Sequence, residues 1–272
     1  MIIKEIKTGR ALSPTGIGLA DYVINPYTGC QYGCAYCYSR SNKNIARISE
    51  KWGTFVYVKT NLPELLEKEI QSHSSPINKV LIGSTTDPLQ PAENKYKTTK
   101  AVLEILSSHN IPLIILTKSL MIKDYLYLFK YSAHNIIYLT YNSGAIPALF
   151  DNHNFSQEDR LEAMRAIRDS GTRLISYISP VFPELTDINE IFNDLRGKTG
   201  TIYFESYNIR QGNWTDIREK LDTFMVSLYE DIFFNEISYN KYWDDFKIRT
   251  DALNKKYGFT IKYFIHPFNT FY

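Results

Sequence analysis

From residue 79 onward the chain alternates short apolar runs with polar turns and stretches of helical period, and this rhythm constrains its fold more than any other feature. The runs Lys79–Gly83, Ile111–Leu116, Asn135–Thr140, Arg173–Ile178 and Thr201–Phe204 are short and largely apolar, as strands covered on both faces require. Helices are expected over 94–109, 121–132, 156–170, 187–196 and 215–230. The stretch 156–170 is the best marked. Ser156 caps it, Asp159 lies three residues on, Leu161, Met164 and Ile167 share a face, and Gly171 stops it. Tyr22–Ile24 supplies a strand ahead of the series and makes six βα units. The expected fold class is α/β: a partial (β/α)6 TIM-like barrel with a C-terminal helix/strand cap. In such a barrel, as in a doubly wound sheet, chemistry gathers at the C-terminal ends of the strands. Residues 1–20 read as an N-terminal extension and 21–231 as the barrel. Residues 232–272 read as the cap, with a helix at Tyr239–Asn254 and a strand at Phe259–Phe264.

The charge balance narrows the partners. Lys and Arg number 31 against 29 Asp and Glu, so a net charge of +2 gives no general attraction to nucleic acid or to an anionic membrane. The start MIIKEIKTGRALSP has no apolar core of a leader, and no stretch approaches the roughly 18 apolar residues of a membrane span. A soluble, cytoplasmic protein is expected. At 272 residues and 44% hydrophobic content the chain can bury a full core.

Its three cysteines fall within eight residues, Cys30, Cys34 and Cys37, at spacing C-x3-C-x2-C directly after the first strand. An odd number at such close spacing is a poor disulfide framework. Three soft thiolates suit an iron–sulfur cubane with one iron left open, whereas structural zinc wants a fourth ligand and the nearest histidine in sequence is His73. A non-catalytic metal module is the bland alternative.

The motif C-x3-C-x-aromatic-C, with Tyr36 as the aromatic, resembles that of radical S-adenosylmethionine enzymes. The resemblance continues through Asn25-Pro26-Tyr27-x-Gly29-Cys30, Gly83-Ser84-Thr85-Thr86-Asp87-Pro88-Leu89-Gln90-Pro91-x-Glu93, Thr117-Lys118-Ser119 and Gln157–Leu161. These pieces are similar to the spore photoproduct lyase-related group over about residues 22–182. It implies a [4Fe–4S] cluster on the three cysteines, S-adenosyl-L-methionine on the open iron, a 5′-deoxyadenosyl radical, and an external electron donor of flavodoxin or ferredoxin type. The substrate is expected to be a small molecule or peptide, with a nucleic-acid repair or modification enzyme as the alternative. The lyases carry a hydrogen-donating cysteine in the loop aligned with Gly83–Asp87. This chain has Ser84 there, and an alcohol O–H is too strong a bond to serve as that donor.

The other candidates stand at strand ends. Ser84, Thr85, Thr86 and Asp87 follow an apolar strand and either bind the methionyl amine or ribose hydroxyls or cap a helix. Lys118 suits the carboxylate of S-adenosylmethionine, as the resemblance also implies. Asn142, Ser143 and Ser179 follow the next two strands and either face the same mouth or turn loops. Glu205 and Arg210 follow the sixth, where Arg210 either pairs Glu205 or clamps an anionic substrate. Tyr36 is expected to pack by the adenine. For Tyr38 the resemblance implies a hydrogen relay, against simple packing.

Overall fold

The computed structural model describes residues 1–153, 155–209 and 212–268. In chain order its first elements are β1 (Ile2–Ile6), β2 (Ser13–Pro14), β3 (Tyr22–Ile24), β4 (Tyr27–Thr28), β5 (Phe55–Lys59), α1 (Leu62–Gln71), β6 (Val80–Ile82), α2 (Glu93–Tyr96), α3 (Thr98–Ser108), β7 (Leu113–Thr117) and β8 (Ile136–Thr140). There follow α4 (Ile146–Phe150), α5 (Gln157–Asp169), β9 (Arg173–Val181), α6 (Ile188–Leu195), β10 (Thr201–Ser206), α7 (Trp214–Arg218), α8 (Thr223–Phe234), α9 (Glu236–Asn254) and β11 (Thr260–Phe264). All six expected strands are present, as β3 and β6 to β10.

The chain forms two compact units. The first comprises Met1–Gly33, Ile48–Leu139 and Glu158–Leu174. Its larger sheet runs β2-β3-β6-β7-β8, parallel except for the antiparallel β2. Val80, Leu81 and Ile82 are buried without alternation, because parallel strands are covered on both faces. The smaller sheet, β1-β5-β4, joins the N-terminal strand to β5 in parallel register from Ile2↔Phe55 to Ile6↔Lys59. The helix expected over 94–109 is broken at Lys97, which adopts φ 52°. The cause is Glu93. Its fully buried carboxylate accepts from Thr99 N and Lys100 N at 2.9 Å each, capping α3, and from the Tyr27 hydroxyl. The stretch expected as a helix over 121–132 is a 3-10 helix, Leu120–Phe129.

The second unit comprises Cys34–Arg47, Thr140–Gln157 and Ile175–Tyr272. Here β9, β10 and β11 pair in parallel, and the expected last strand extends the sheet alongside β10. Aromatic contacts seat α9 on these strands, Phe246 meeting Phe204 and Tyr263 edge-on. The helix expected over 215–230 is two, because the Asp222 side chain accepts from Met225 N at 2.8 Å and starts α8 afresh. Phe182, fully buried, is the hub of this core, with ring centroids 4.6 Å from Phe150 and 4.8 Å from Tyr207. Phe182→Ala is expected to lower the unfolding free energy by about 3–5 kcal/mol, measured by urea denaturation, since its neighbours cannot collapse onto the void.

Candidate functional site

In the first unit the strand-end loop after β6 is built by close approach. Gly83 has φ 89°, and a Cβ there would lie 2.5 Å from Pro88 Cδ and 2.8 Å from Leu116 O. Gly29, at φ 85°, sits equally close to the Phe55 carbonyl and ring. These two glycines let the cysteine loop and the Ser84–Asp87 loop lie against their neighbours. Asn25 then ties the loops together: its Nδ2 donates to Ser84 Oγ at 3.0 Å and its Oδ1 accepts from Thr85 N at 2.9 Å. Thr86 Oγ1 donates to Gly29 O at 2.6 Å, Gln90 Nε2 donates to the same carbonyl, and Gln31 N donates to Gln90 Oε1 at 2.8 Å.

Asp87 lies under this loop. Its Oδ1 accepts from Thr117 Oγ1 at 2.7 Å and Leu89 N at 2.9 Å, and its Oδ2 accepts from Lys118 N at 2.9 Å. Burial raises its carboxyl above the usual range, against these donors, which favour the charged form. Of the four candidates on the loop, Thr86 and Asp87 are thus committed to holding backbone. Asp87 in particular fixes the peptide that carries the half-buried Lys118 side chain. The Tyr32 hydroxyl, pushed up by burial and then by Asp87, donates to Leu89 O at 3.3 Å.

In the second unit Tyr36, between Cys34 and Cys37, is held from every side. Its hydroxyl donates to Asp151 Oδ1 at 2.5 Å and accepts from Asn142 Nδ2 at 3.2 Å. Its carbonyl accepts from Asn213 Nδ2 at 2.8 Å, and its ring meets Phe182 edge-on. Asp151 Oδ2 in turn lies 3.2 Å from His153 Nε2, both side chains almost wholly buried. Because the Tyr36 proton goes to Asp151, Asn142 must present its NH2 to that hydroxyl. Its Oδ1 is then left buried without a hydrogen-bond partner among the described residues. Such an orphan costs about 1–3 kcal/mol, which a ligand N–H or O–H would recover. Tyr36→Phe is expected to cost about 1.5–3 kcal/mol of stability, from the lost bond to a carboxylate, read by urea denaturation.

Ser179, Tyr177, Glu205 and His266 form a second polar group in this unit. Between Phe204 and Ser206 the β9–β10 register slips, so that Ser179 and Pro180 oppose Glu205 alone. Glu205 Oε2 accepts from Ser179 Oγ at 2.5 Å and Tyr177 Oη at 2.8 Å, while Oε1 lies 3.2 Å from His266 Nε2. Burial opposes ionisation of Glu205, yet His266, Ser179 and Tyr177 together hold its carboxyl below the usual range. The Tyr38 hydroxyl is pushed up by burial, then by Cys37 and Glu205, although the residue as a whole is 44% exposed. Ser143 Oγ donates to Asp187 O at 3.3 Å. Arg210 lies outside the described residues.

Sequence reasoning missed Asp151, His153, Asn213, Tyr177 and His266. Nothing in their local sequence marks them, because Asp151, Asn213, Tyr177 and His266 act through partners far along the chain and His153 acts only through Asp151. Only the run Phe55–Lys59, with its β-branched and aromatic residues, offered a strand pattern that went unread.

The thiols fit an iron–sulfur group. No disulfide joins any of the three, and Cys30 and Cys34 are buried and Cys37 half-buried. Among the described residues no three His, Cys, Asp or Glu side chains converge as ligands of one metal ion would. A cubane makes no such demand, since each thiolate takes a different iron. No helix among the described residues is long and apolar enough to cross a membrane.

A family model of the radical SAM superfamily matches residues 24–195. An uncharacterized protein of Methanocaldococcus jannaschii is 32% identical over 246 residues, covering 89% of this chain and 91% of its own. An uncharacterized protein of Mycobacterium tuberculosis is 29% identical over 184 residues, 65% of this chain and 54% of its own. Among solved structures, a cysteine-to-serine mutant of spore photoproduct lyase superposes with a TM-score of 0.71 at 17% identity, over 96% of this chain and 82% of its own. Streptococcus suis SuiB bound to S-adenosylmethionine gives 0.57 at 12% identity, over 90% of this chain and 49% of its own. These likenesses, with the parallel strands, show a partial TIM-like barrel.

Proposed function

Because the chain belongs to the radical S-adenosylmethionine superfamily, and so is an enzyme that uses S-adenosylmethionine and an iron–sulfur cluster, we propose that Cys30, Cys34 and Cys37 hold a [4Fe–4S] cluster and that the substrate is a small molecule or peptide. When bound, the cluster and S-adenosylmethionine supply a 5′-deoxyadenosyl radical that takes hydrogen from the substrate. The observation that carries this reading is the loop network of the first unit, in which Asn25 and Thr86 tie the Ser84–Asp87 loop to the start of the cysteine loop while Asp87 holds the Lys118 backbone. Three cysteines within eight residues of chain, none in a disulfide, complete the donor set.

The protein's own residues divide the work. Lys118 binds the carboxylate of S-adenosylmethionine as a point charge, and Asp87 fixes the backbone from which it reaches. Ser84 and Thr85, steadied by Asn25, offer hydroxyls to the cofactor. Asn142 Oδ1 accepts from it, while Tyr36, locked by Asp151, keeps the cysteine loop in one shape. Glu205, kept ionised by His266, Ser179 and Tyr177, serves the substrate with Tyr38, and Ser179 acts by orienting that carboxylate. A peptide substrate draws support from the likeness to SuiB, solved with its precursor peptide SuiA.

The test is anaerobic reconstitution with iron and sulfide, then reduction in the presence of S-adenosylmethionine. Thiolate-to-iron charge-transfer absorption and 5′-deoxyadenosine are expected, and absence of both removes the proposal. Lys118→Ala should weaken S-adenosylmethionine binding with iron content unchanged. A second reading, repair of a nucleic-acid photoproduct, is favoured by the higher TM-score against spore photoproduct lyase, which has been solved with a dinucleoside spore photoproduct. Against it stands chemistry: all three cysteines lie in the motif, so no thiol is left to return a hydrogen atom. Incubation with that dinucleoside decides between them.

A further inference from the structure

Resting on the superfamily chemistry above, we infer that the exposed cations of the segment Cys34–Arg47 are the docking surface for an acidic, low-potential one-electron carrier of flavodoxin or ferredoxin type. The segment carries Arg40, Lys43 and Arg47 and no acidic residue. Its charge of +3 exceeds the +2 of the whole chain, so the other residues sum to −1 (2 − 3). Arg40 is committed, paired with Asp216 at 2.6 Å and donating to Ala35 O at 3.1 Å. Lys43 and Arg47 are exposed, with no acidic partner among the described residues.

Local structure holds these two outward and near the thiols. After Cys37 the chain makes one 3-10 turn, Tyr38–Ser41, and then folds on Asn42, whose carbonyl accepts from Ile45 N at 2.9 Å and Ala46 N at 2.8 Å. Ile45, 7% exposed, pins the turn from inside. Lys43 lies six positions after Cys37, a reach of at most about 22 Å when fully extended, and the hydrogen-bonded turns shorten it. The cations therefore sit on the same short piece of backbone as two of the three thiolates.

Superfamily membership requires a reductant. In the transfer, the reduced carrier gives up one electron and is oxidised, the cluster gains one, and no atom moves. An acidic carrier is steered toward fixed cations, which raises its association rate by about 10–1,000-fold. Nucleic acid is the other polyanion, but it gains affinity with each phosphate neutralised, and two free cations satisfy only about two phosphates.

The experiment uses the reconstituted full chain and its Lys43→Glu/Arg47→Glu variant. Formation of 5′-deoxyadenosine is measured with two reductants, dithionite and a reduced ferredoxin of net negative charge. The expected result is an unchanged dithionite-driven rate and a ferredoxin-driven rate lower by about tenfold or more, with the wild-type ferredoxin rate falling as salt rises. Equal ferredoxin-driven rates in the two proteins overturn the inference. So does a variant that keeps its ferredoxin rate but loses binding to a short DNA duplex, followed by fluorescence anisotropy. No dithionite-driven cleavage in the wild type overturns the proposed function instead.

Discussion

Cys34→Ala is expected to abolish both iron binding and the cleavage of S-adenosylmethionine to below detection, while the circular dichroism of the chain stays that of the wild type. The chain has only three cysteines, so no other thiolate can move into the vacant position. Two thiolates cannot hold a cubane against loss of iron, and a serine hydroxyl in the same place is too hard and too weakly acidic a ligand to replace one. Cys34 is small and buried, so its loss as packing is slight compared with its loss as a ligand. Iron analysis and charge-transfer absorption after reconstitution read the outcome. Full iron content in Cys34→Ala would place the metal elsewhere and sink the assignment of all three ligands.

Asp87→Ala should be nearly as damaging, by a different route. The buried carboxylate is the shared acceptor for the Leu89 and Lys118 backbone N–H groups and the Thr117 hydroxyl. Removing it orphans two buried N–H groups at about 1–3 kcal/mol each, so a loss of about 2–6 kcal/mol is expected by urea denaturation. Function should fall further than stability, because the peptide that aims Lys118 is released. In Asp87→Asn one oxygen still accepts, but the amide NH2 faces N–H donors, so this variant is expected to recover only part of the loss. Wild-type affinity for S-adenosylmethionine in a folded Asp87→Ala protein would separate Asp87 from the positioning of Lys118.

The two predictions also mark how much was legible in advance. The cysteines could be read because a thiolate set on one loop is a local pattern, and the strands because β6 and β7 are unbroken apolar runs. Asp87 is a site candidate by sequence, yet its task of holding the Lys118 backbone could not be read, since Thr117 and Lys118 lie some thirty positions away. Still longer separations hid Asp151 and Asn213 behind Tyr36, and His266 behind Glu205. β1 escaped notice because Ile2–Ile6 is short and carries Lys4 and Glu5, and only pairing with β5 makes it a strand. Helix breaks at Lys97 and Asp222 were missed because Glu93, ahead of the expected helix, gives no local sign that it caps residues six and seven positions on, and Asp222 reads equally well as helix interior.

By itself, then, the sequence determined the three-cysteine motif and its spacing, the βα order, and the lack of any cysteine outside that motif, because each is a matter of residue identity or near-neighbour spacing. Tertiary structure alone decided which polar groups are spent on the protein and which are left over. Thr86 and Asp87 went to backbone, Ser179 to Glu205, and Asn142 kept an unused acceptor, because hydrogen-bond partners are assigned by where distant strands end and not by their order along the chain.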